Sequence, residues 1–420
     1  MRGVMTEIPA LEARDVQTQH ARQDEIEDWE VVMAPTNKQW VSKLDGVDKL
    51  ELVEGEMPVP KDGEVLVKIH AVCLNYRDLE VCNGDYNHHQ TPTDSPVGIV
   101  PCSDMCGTVV ESKSPLLKAG TRVISVFLQT HLRGALKQSD LESGLGFPLP
   151  GVLTEYRCFD ARALVKAPKY MTDEEASCLP ISSVTAWMAL NWMRPIGKSF
   201  QELELYGKSG DEKKDDEKET VLLQGTGGVS IAGLQIAKAA GLKTIITSSS
   251  DEKLEAAKQL GADHTINYRT YWEWQDGVME ATAGKGADYI LEVGGTKTLR
   301  KSFASVAFGG TISCIGYVSG KEDDTGGDDG GNGDDKDKAK GWNRLNVNVL
   351  ALRKNVTLKG LVNGGRDRFE EMVGFYEEKE IRPVVCKVFG MGEAKEAMEY
   401  VKGEKHFGKV VIRVAEESKE

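Results

Sequence analysis

A buried strand that leads through a glycine turn into a helix constrains this sequence more than any other feature. The strand is Val221–Leu223, and an apolar-faced helix is predicted over Ile231–Ala240. Between them lies the turn Gly225, Thr226, Gly227, Gly228 and Val229. Gly225 permits a tight turn and Gly227 permits close approach of an anion to the backbone, where the N–H groups at a helix start face it. Ser230 replaces the third glycine of the dinucleotide pattern, which small-residue packing tolerates, so the run predicts a pyrophosphate-binding turn.

Strands and helices alternate after this turn. Further strands are predicted over Thr244–Thr247, Asp288–Val293 and Gly310–Gly316, and a helix over Asp251–Leu260 ends at Gly261. Such alternation requires right-handed crossovers, so the strands form a parallel sheet with helices on both faces. The sequence therefore predicts an α/β fold with a Rossmann, doubly wound parallel sheet, in which ligands bind beyond the carboxyl ends of the strands.

Composition narrows the range of partners. The chain has 420 residues with 40% hydrophobic content, which suffices for two or three domain cores, and a net charge of -14 disfavours nucleic acid or an anionic membrane surface as partner. No apolar run approaches the roughly 20 residues that span a bilayer, and the N-terminus lacks a secretory apolar core. The eight cysteines are scattered through apolar segments, as is typical of reduced thiols. We expect a cytoplasmic protein.

The first half and the end of the chain differ from the middle. Strands are predicted over Glu64–Ala71, Cys106–Val110 and Arg122–Phe127, with no helical periodicity between them, and strand character returns over Ile381–Val388 and Phe407–Val414. The end therefore rejoins the first half, and a cleft separates the two units. The predicted organisation is a tail at 1–30, a β-rich domain over 31–182 completed by 364–420, and a nucleotide-binding domain over 183–363.

Two charged insertions interrupt the nucleotide-binding domain, at 206–219 and 321–341. Neither contains enough apolar residues to bury a face, so both are interpreted as solvated loops. The second insertion is rich in aspartate, but its spacing does not match an EF-hand and it lacks a terminal bidentate glutamate. We do not predict a calcium site there.

Several motifs resemble those of the medium-chain dehydrogenases/reductases, in the same order along the chain. They are Leu74-Asn75-Tyr76-Arg77-Asp78-Leu79, Pro101-Cys102-Ser103-Asp104 with Gly107, Leu179-Pro180 with Thr185-Ala186-Trp187, the glycine turn, Ala256 to Tyr268, and Phe407-Gly408-Lys409. The similarity extends from about residue 38 to 414 and is strongest to the zinc-independent branch of quinone reductases, enoyl reductases and alcohol dehydrogenase-like proteins. It implies that the β-rich unit is a GroES-like catalytic domain.

The residues at the family's zinc positions lack suitable ligands. Zinc-dependent relatives have a cysteine where this chain has Asn75, and Gly-His-Glu where it has Cys102-Ser103-Asp104. The stretch 127–151, which corresponds to their structural zinc lobe, contains no cysteine, and tetrahedral zinc requires thiolate or imidazole ligands. Cys106 lies four residues from Cys102 without suitable partners nearby, and His88 and His89 fall in a polar stretch. We therefore expect no metal.

Without a Lewis acid, reduction of a conjugated C=C or a quinone is favoured over alcohol oxidation, because the resulting enolate or phenolate is already delocalised. Tyr76 is the candidate proton donor, since its phenol stays protonated at neutral pH, and Asn75 is a candidate neutral donor. The alternative is that Tyr76 is a packing residue. Asp78 is expected to fix the local turn, with Arg77 as its surface partner.

The expected cofactor is NADP(H). About 20 residues past the first glycine, NAD-specific folds place an acidic residue, whereas this chain has Thr247, Ser248, Ser249 and Ser250, with Lys253 nearby. Ser249 and Glu252 match a capping box, so the rival reader Asp251 is assigned to a helix start. The resemblance adds further residues along the cofactor path: Thr185, Tyr268, Gly294, Gly316 and Lys409.

Two other functions stay open at this stage. One is a zinc-free alcohol dehydrogenase or carbonyl reductase, and the other is a catalytically weak NADP-binding scaffold, which the charged insertions slightly favour. The expected partner is a small-molecule substrate such as an enone, a quinone or a related carbonyl. The resemblance also implies a homodimer or tetramer.

Overall fold

A computed structural model of the chain describes residues 36–86, 98–191, 218–320 and 345–415. The predicted tail at 1–30, the insertion at 321–341, most of the insertion at 206–219, and His88 and His89 lie outside these residues. Within the described ranges, no helix combines the length and apolar character needed to cross a membrane.

The elements of the described residues alternate as follows. The strands are β1 (Thr36–Val41), β2 (Glu51–Glu56), β3 (Glu64–Cys73), β4 (Asp104–Ser112), β5 (Arg122–Ser125), β6 (Tyr156–Asp160), β7 (Leu164–Lys166), β8 (Thr220–Gln224), β9 (Lys243–Ser248), β10 (His264–Asn267), β11 (Ala287–Glu292), β12 (Val306–Cys314), β13 (Thr357–Gly360), β14 (Val385–Gly390) and β15 (Lys409–Arg413). The helices are α1 (Tyr76–Asn83), α2 (Asp173–Ser177), α3 (Val184–Leu190), α4 (Gly228–Ala239), α5 (Asp251–Gln259), α6 (Trp274–Ala281), α7 (Leu299–Ser305), α8 (Val347–Lys354), α9 (Arg366–Lys379) and α10 (Ala394–Lys402).

The middle of the chain forms a parallel sheet of strand order β10-β9-β8-β11-β12-β13. Its central strands are apolar on both faces, because helices cover both sides. Helix α4 packs closely on the sheet at Gly233, where an added Cβ would lie 2.8 Å from Leu223 and 2.9 Å from Leu291. The α/β class and the doubly wound parallel sheet are confirmed.

The remaining strands form a mainly antiparallel sheet of order β14-β15-β3-β4-β5-β7, with β6 also paired to β3. The last strand, β15, runs antiparallel to β3 and places Val411 opposite Cys73. Because β3 ends immediately before Leu74 and Asn75, the start of β15 lies beside the start of α1. Residues more than 300 positions apart in the chain therefore meet at one place.

Helix α1 contradicts the expectation that the first half lacks helices, and β13 and α8 were not predicted either. Helix α1 has eight residues, and its residues from Asp78 to Cys82 are all buried, so it shows no polar stripe from which a 3.6-residue period could be recognised. Its first turn is fixed by Asp78, whose Oδ2 accepts a hydrogen bond from the Asn75 N–H at 2.8 Å. This confirms the local role expected for Asp78.

Candidate active site

The glycine turn joins β8 to α4 in the predicted manner. Gly225 has φ +74°, which a residue with a side chain rarely adopts, and Gly227 lies at the N-cap of α4. A Cβ built on either residue has no atom within 4 Å, so the space above the turn is open. Ser230 donates to the Gln224 carbonyl at 2.6 Å and thereby ties the helix to the strand. The turn offers an anion an unobstructed approach to backbone N–H groups.

Gly228 is the point where the glycine turn meets the other sheet. A Cβ at Gly228 would lie 2.5 Å from Lys409 Cδ and 2.6 Å from Ser182 Oγ. The Gly408 N–H donates to the Thr226 carbonyl at 3.0 Å, so β15 is joined to the turn by a backbone hydrogen bond. The absence of a side chain at Gly228 therefore lets Lys409 lie directly beside the turn.

Lys409 is 6% exposed, and its ammonium donates to the Leu74 carbonyl and to Asn75 Oδ1, both at 2.6 Å. Burial by itself would lower the pKa of Lys409, but the acidic groups around it, Asp104 among them, raise that pKa. Ser182 also donates to Asn75 Oδ1, at 3.4 Å. Asn75 is therefore held by its carbonyl oxygen, and Lys409 remains a cation.

Asp104 is fully buried behind this arrangement. It accepts hydrogen bonds from Ser103 Oγ at 2.8 Å and from the Ile181 N–H at 3.0 Å. Burial raises the pKa of Asp104, while Lys409, Asn75 and Ser103 oppose the rise. Lys409 and Asp104 thus form a buried pair of opposite charges under Asn75, which limits the cost of burying either charge.

Tyr76, at the first position of α1, is 47% exposed, so its phenol is accessible from the cleft rather than packed in the core. Arg77 was expected on the surface, and this was wrong, because its side chain is 10% exposed. Arg77 donates to the carbonyl of Leu145 at 3.0 Å and pairs with Asp78 at 3.3 Å. The aromatic and apolar surroundings of the helix start explain why this guanidinium is turned inward.

A small apolar pocket of about 250 Å³ opens beside Arg77, whose guanidinium lies 4.9 Å from the Tyr86 ring centre and 4.8 Å from that of Phe127. Val362, which follows β13, contributes to the same pocket, so both sheets supply its walls. The other lining residues are Leu128, Leu141, Phe147 and Pro148. The pocket suits an apolar or aromatic group more than a charged one.

Gly294 and Gly316 lie at the carboxyl ends of β11 and β12. The Gly294 N–H and the Gly295 N–H both donate to Glu292 Oε1, at 2.9 and 3.0 Å. Glu292 also accepts from Gln224 Nε2 at 2.8 Å, and Gln224 ends the strand that enters the glycine turn. The buried Glu292 therefore connects the two turns, and the Gly294 N–H points to this carboxylate.

The serine run after β9 mostly supports local structure. Thr247 Oγ1 accepts from the Gly225 N–H at 3.3 Å, and Ser248, 3% exposed, accepts from the Ser250 N–H at 3.4 Å. The expected capping box of Ser249 and Glu252 was wrong by one residue, since Ser250 caps α5 by accepting from the Lys253 N–H. Ser249 is partly exposed at the end of this run.

Asp251 and Lys253 both lie in the first turn of α5. The placement of Asp251 at the helix start is confirmed, and its Oδ1 accepts from Asn267 Nδ2 at 2.7 Å. Lys253 Nζ donates to the Glu404 carbonyl at 2.6 Å, and partial burial lowers the pKa of Lys253. The 404–408 segment therefore runs from Lys253 to the glycine turn and brings Lys253 and Lys409 to one side of the cleft.

The structure places three other predicted residues with less access to the cleft. Thr185 is 1% exposed, and its Oγ1 accepts from Asn363 Nδ2 at 3.2 Å. Tyr268 is partly buried and its N–H donates to the Ser248 carbonyl at 3.0 Å. Val229 is partly buried in the first turn of α4.

The donor set under the cleft does not fit zinc. Asn75 Oδ1 is occupied by Lys409, and Ser103 and Asp104 are bonded to each other, so no thiolate or imidazole faces this point. In the portions of the chain that the structure covers, no group of three or more histidine, cysteine, aspartate or glutamate side chains is arranged to hold a metal ion. No step of the chemistry proposed below passes through a metal.

Comparisons with known proteins place this architecture in a family. The alcohol dehydrogenase GroES-like domain matches residues 61–169, and the zinc-binding dehydrogenase family matches residues 228–378. A zinc-type alcohol dehydrogenase-like protein of Schizosaccharomyces pombe is 36% identical over 375 residues, covering 89% of this chain and 97% of the relative. The chain belongs to the medium-chain dehydrogenase/reductase superfamily.

Two further relatives support the same assignment. A crystal structure from Sinorhizobium meliloti, provisionally assigned as an alcohol dehydrogenase, is 34% identical and covers 91% of this chain and 100% of its own, with a TM-score of 0.72. A quinone oxidoreductase-like protein 2 homolog of Nematostella vectensis is 25% identical over 362 residues, covering 83% of this chain and 81% of the relative. The protein is thus an oxidoreductase of a superfamily that uses nicotinamide cofactors, and its β-rich part is GroES-like.

Sequence reasoning missed several residues that build this site. Ser182, Gln224 and Glu292 carry no motif, because their roles depend on bonds between strands far apart in the chain. Glu80 could have been found, since it follows Tyr76 by four residues and would share its face once α1 was recognised as a helix. Tyr317, which bonds to Glu80, had no such signal.

Proposed function

We propose that the protein is a zinc-independent, NADPH-dependent reductase of an α,β-unsaturated carbonyl or a quinone. The observation that carries this proposal is the occupation of the family's metal position by Asn75, held by Lys409 above the buried Asp104. This arrangement supplies neutral and cationic hydrogen-bond donors and no Lewis acid. Such donors suit a reaction whose product anion is delocalised.

The chain's own groups fit a dinucleotide. The open glycine turn and the start of α4 would hold the diphosphate, with Lys409 beside them as a buried cation. Lys253, Ser248 and Ser249 would receive a 2′-phosphate, because this end of β9 has no acidic side chain within the run. The reduced nicotinamide, when bound, supplies a hydride.

On the substrate side, Tyr76 is the proposed donor. Its phenol is accessible at the start of α1, next to Asn75, so a carbonyl oxygen between the two would meet neutral donors where charge develops. The apolar pocket bounded by Phe127 and Val362 would hold the hydrocarbon part of the substrate. A hydroxyl or water completes protonation of the enolate.

The test is steady-state NADPH consumption with a panel of enones, quinones, aldehydes and alcohols, together with elemental analysis of the purified protein. We expect turnover of at least one enone or quinone, tighter binding of NADPH than of NADH, and no stoichiometric metal. About one zinc per chain, with activity lost on chelation, would reject the metal-free site.

A zinc-free alcohol dehydrogenase or carbonyl reductase is the second candidate, favoured by the 36% identity to an alcohol dehydrogenase-like relative. Acceptance of aldehydes or alcohols with refusal of every enone and quinone would select it. Binding of NADPH without turnover of any compound would instead indicate a scaffold.

A further inference from the structure

A carboxylate and a phenol join the two walls of the cleft. Tyr317 Oη donates to Glu80 Oε2 at 2.8 Å and lies 3.0 Å from Oε1. Glu80 belongs to α1, in the GroES-like part, whereas Tyr317 follows β12 of the parallel sheet. The two residues are 237 positions apart, and this contact, which we name the cross-cleft pair, connects the substrate wall to the cofactor wall.

Both members of the cross-cleft pair are anchored next to residues assigned to the site. Glu80 lies four positions after Tyr76, so the two share a face of α1. Tyr317 follows Gly316, and its backbone packs on the turn after β11, since a Cβ on Gly295 would lie 2.9 Å from Tyr317 Cα. Gly295 has φ +94°, so a side chain at this turn is disfavoured by the backbone as well.

The contact is chemically strong. Glu80 is 8% exposed, so the hydrogen bond forms in a partly desolvated place, where a bond to a charged acceptor is stronger than one between neutral groups. Burial, together with Glu80, raises the pKa of Tyr317 well above its ordinary value, so the phenol remains a donor across the working pH range. The bond therefore persists wherever the fold is stable.

We propose that the cross-cleft pair is a positioning device: it holds the 316–320 segment against α1 and so sets the distance between the nicotinamide position and Tyr76. This inference rests on the proposed function, because it assumes that the ring binds beside Gly316 and Tyr76. Neither Glu80 nor Tyr317 exchanges a proton or electron with the substrate. They act through the placement of the segment that bears Gly316.

The first test is a double-mutant cycle on kcat. Tyr317→Phe and Glu80→Ala should each lower kcat about tenfold, with KM for NADPH changed less than about threefold, because misplacement mainly affects the transition state. The double variant should be no slower than either single variant, since both remove the same bond. Glu80→Gln keeps an oxygen acceptor for Tyr317 and should retain most of the activity.

The second test does not need turnover. Hydrogen exchange of the 316–320 amides in the NADPH-free protein should be about tenfold faster in Tyr317→Phe and Glu80→Ala than in the wild type, because the segment loses its anchor. The matched control is Tyr271→Phe, which removes another tyrosine–glutamate contact, 3.3 Å from Tyr271 Oη to Glu280 Oε1, in the α6 region. The control should leave exchange of residues 316–320 unchanged.

The two tests separate failure of this inference from failure of the proposed function. If no enone or quinone is reduced but exchange accelerates as expected, the reaction class is wrong and the anchoring role stands. Additive losses of kcat in the double variant, or wild-type exchange in both single variants, would overturn the cross-cleft pair.

Discussion

The cofactor wall and the substrate wall of the cleft are built by different means. The glycine turn uses backbone N–H groups and the start of a helix, and all of its residues lie within Gly225–Val229. The substrate wall uses side chains from distant positions: Asn75, Asp104, Ser182 and Lys409. A binding surface made of backbone is local in the sequence, whereas one made of side chains depends on how strands are paired. Lys409 is where the two meet.

Removal of Lys409 should have the largest effect on this difference, because it belongs to both walls. Lys409→Met keeps the aliphatic stem but leaves the Leu74 carbonyl and Asn75 Oδ1 without their donor and Asp104 without its cation. We expect a loss of about 3 kcal/mol in the free energy of unfolding, measured with urea. Lys402→Met, at an exposed pair with Glu399, is the control and should change it by less than about 0.5 kcal/mol.

Loss of the phenol at Tyr76 should affect the substrate wall alone. Tyr76→Phe should lower kcat roughly 100-fold while the Kd for NADPH barely changes, because the lost hydrogen bond matters chiefly in the transition state. Stopped-flow reduction of an accepted enone and NADPH titration measure the two quantities. A decrease smaller than about threefold would return Tyr76 to a packing role and leave water as the proton source.

A methyl group at Gly227 should affect the cofactor wall alone. Its φ of -80° suits alanine, and the added Cβ meets no atom within 4 Å, so Gly227→Ala should fold with wild-type stability. The same methyl group would obstruct an approaching phosphate, and we expect NADPH to bind about 30-fold more weakly. Gly374→Ala, another open glycine, lies in α9 and should leave binding unchanged. Equal NADPH affinity in both variants would show that no phosphate approaches the turn.

The choice between NADPH and NADH tests the far end of the cofactor wall. Lys253→Ala should weaken NADPH binding about tenfold and leave NADH binding nearly unchanged, because the ammonium would contact only the 2′-phosphate. Lys258→Ala, on the same helix but paired with Glu255, should alter neither affinity. Tighter binding of NADH than of NADPH by the wild type would refute the assignment.

The smallest expected effect is the pH dependence of stability at His406. Burial, with the nearby Lys409 and Lys253, lowers the pKa of His406 to about 4, so the unfolded chain binds a proton first as the pH falls. This contribution to stability is complete above the unfolded pKa of about 6.5 and declines toward pH 4, by roughly 1 kcal/mol between pH 7.5 and 5.5. Urea unfolding of His406→Gln should show a correspondingly flatter pH profile in that interval. An unchanged profile would show that His406 titrates normally.

The extent of sequence-based prediction follows the same division between backbone and side chains. The strands β8, β9, β11 and β12, the turn at Gly225 and the start of α5 were predicted because each depends on residues close together in the chain. Helix α1 was missed because its residues from Asp78 to Cys82 are all buried and remove the usual polar stripe. The domain boundaries and the roles of the site residues remain predictions.

The sequence by itself determined the α/β class, the family and the glycine turn, because alternation of apolar segments and backbone freedom at glycine are local properties. Tertiary structure alone decided that Lys409 lies between the turn and Asn75, that Arg77 points inward, and that Glu80 meets Tyr317. These contacts depend on β15 pairing with β3 and on the two sheets facing each other across the cleft. Such long-range pairing leaves no period or spacing in the chain from which it could be recognised.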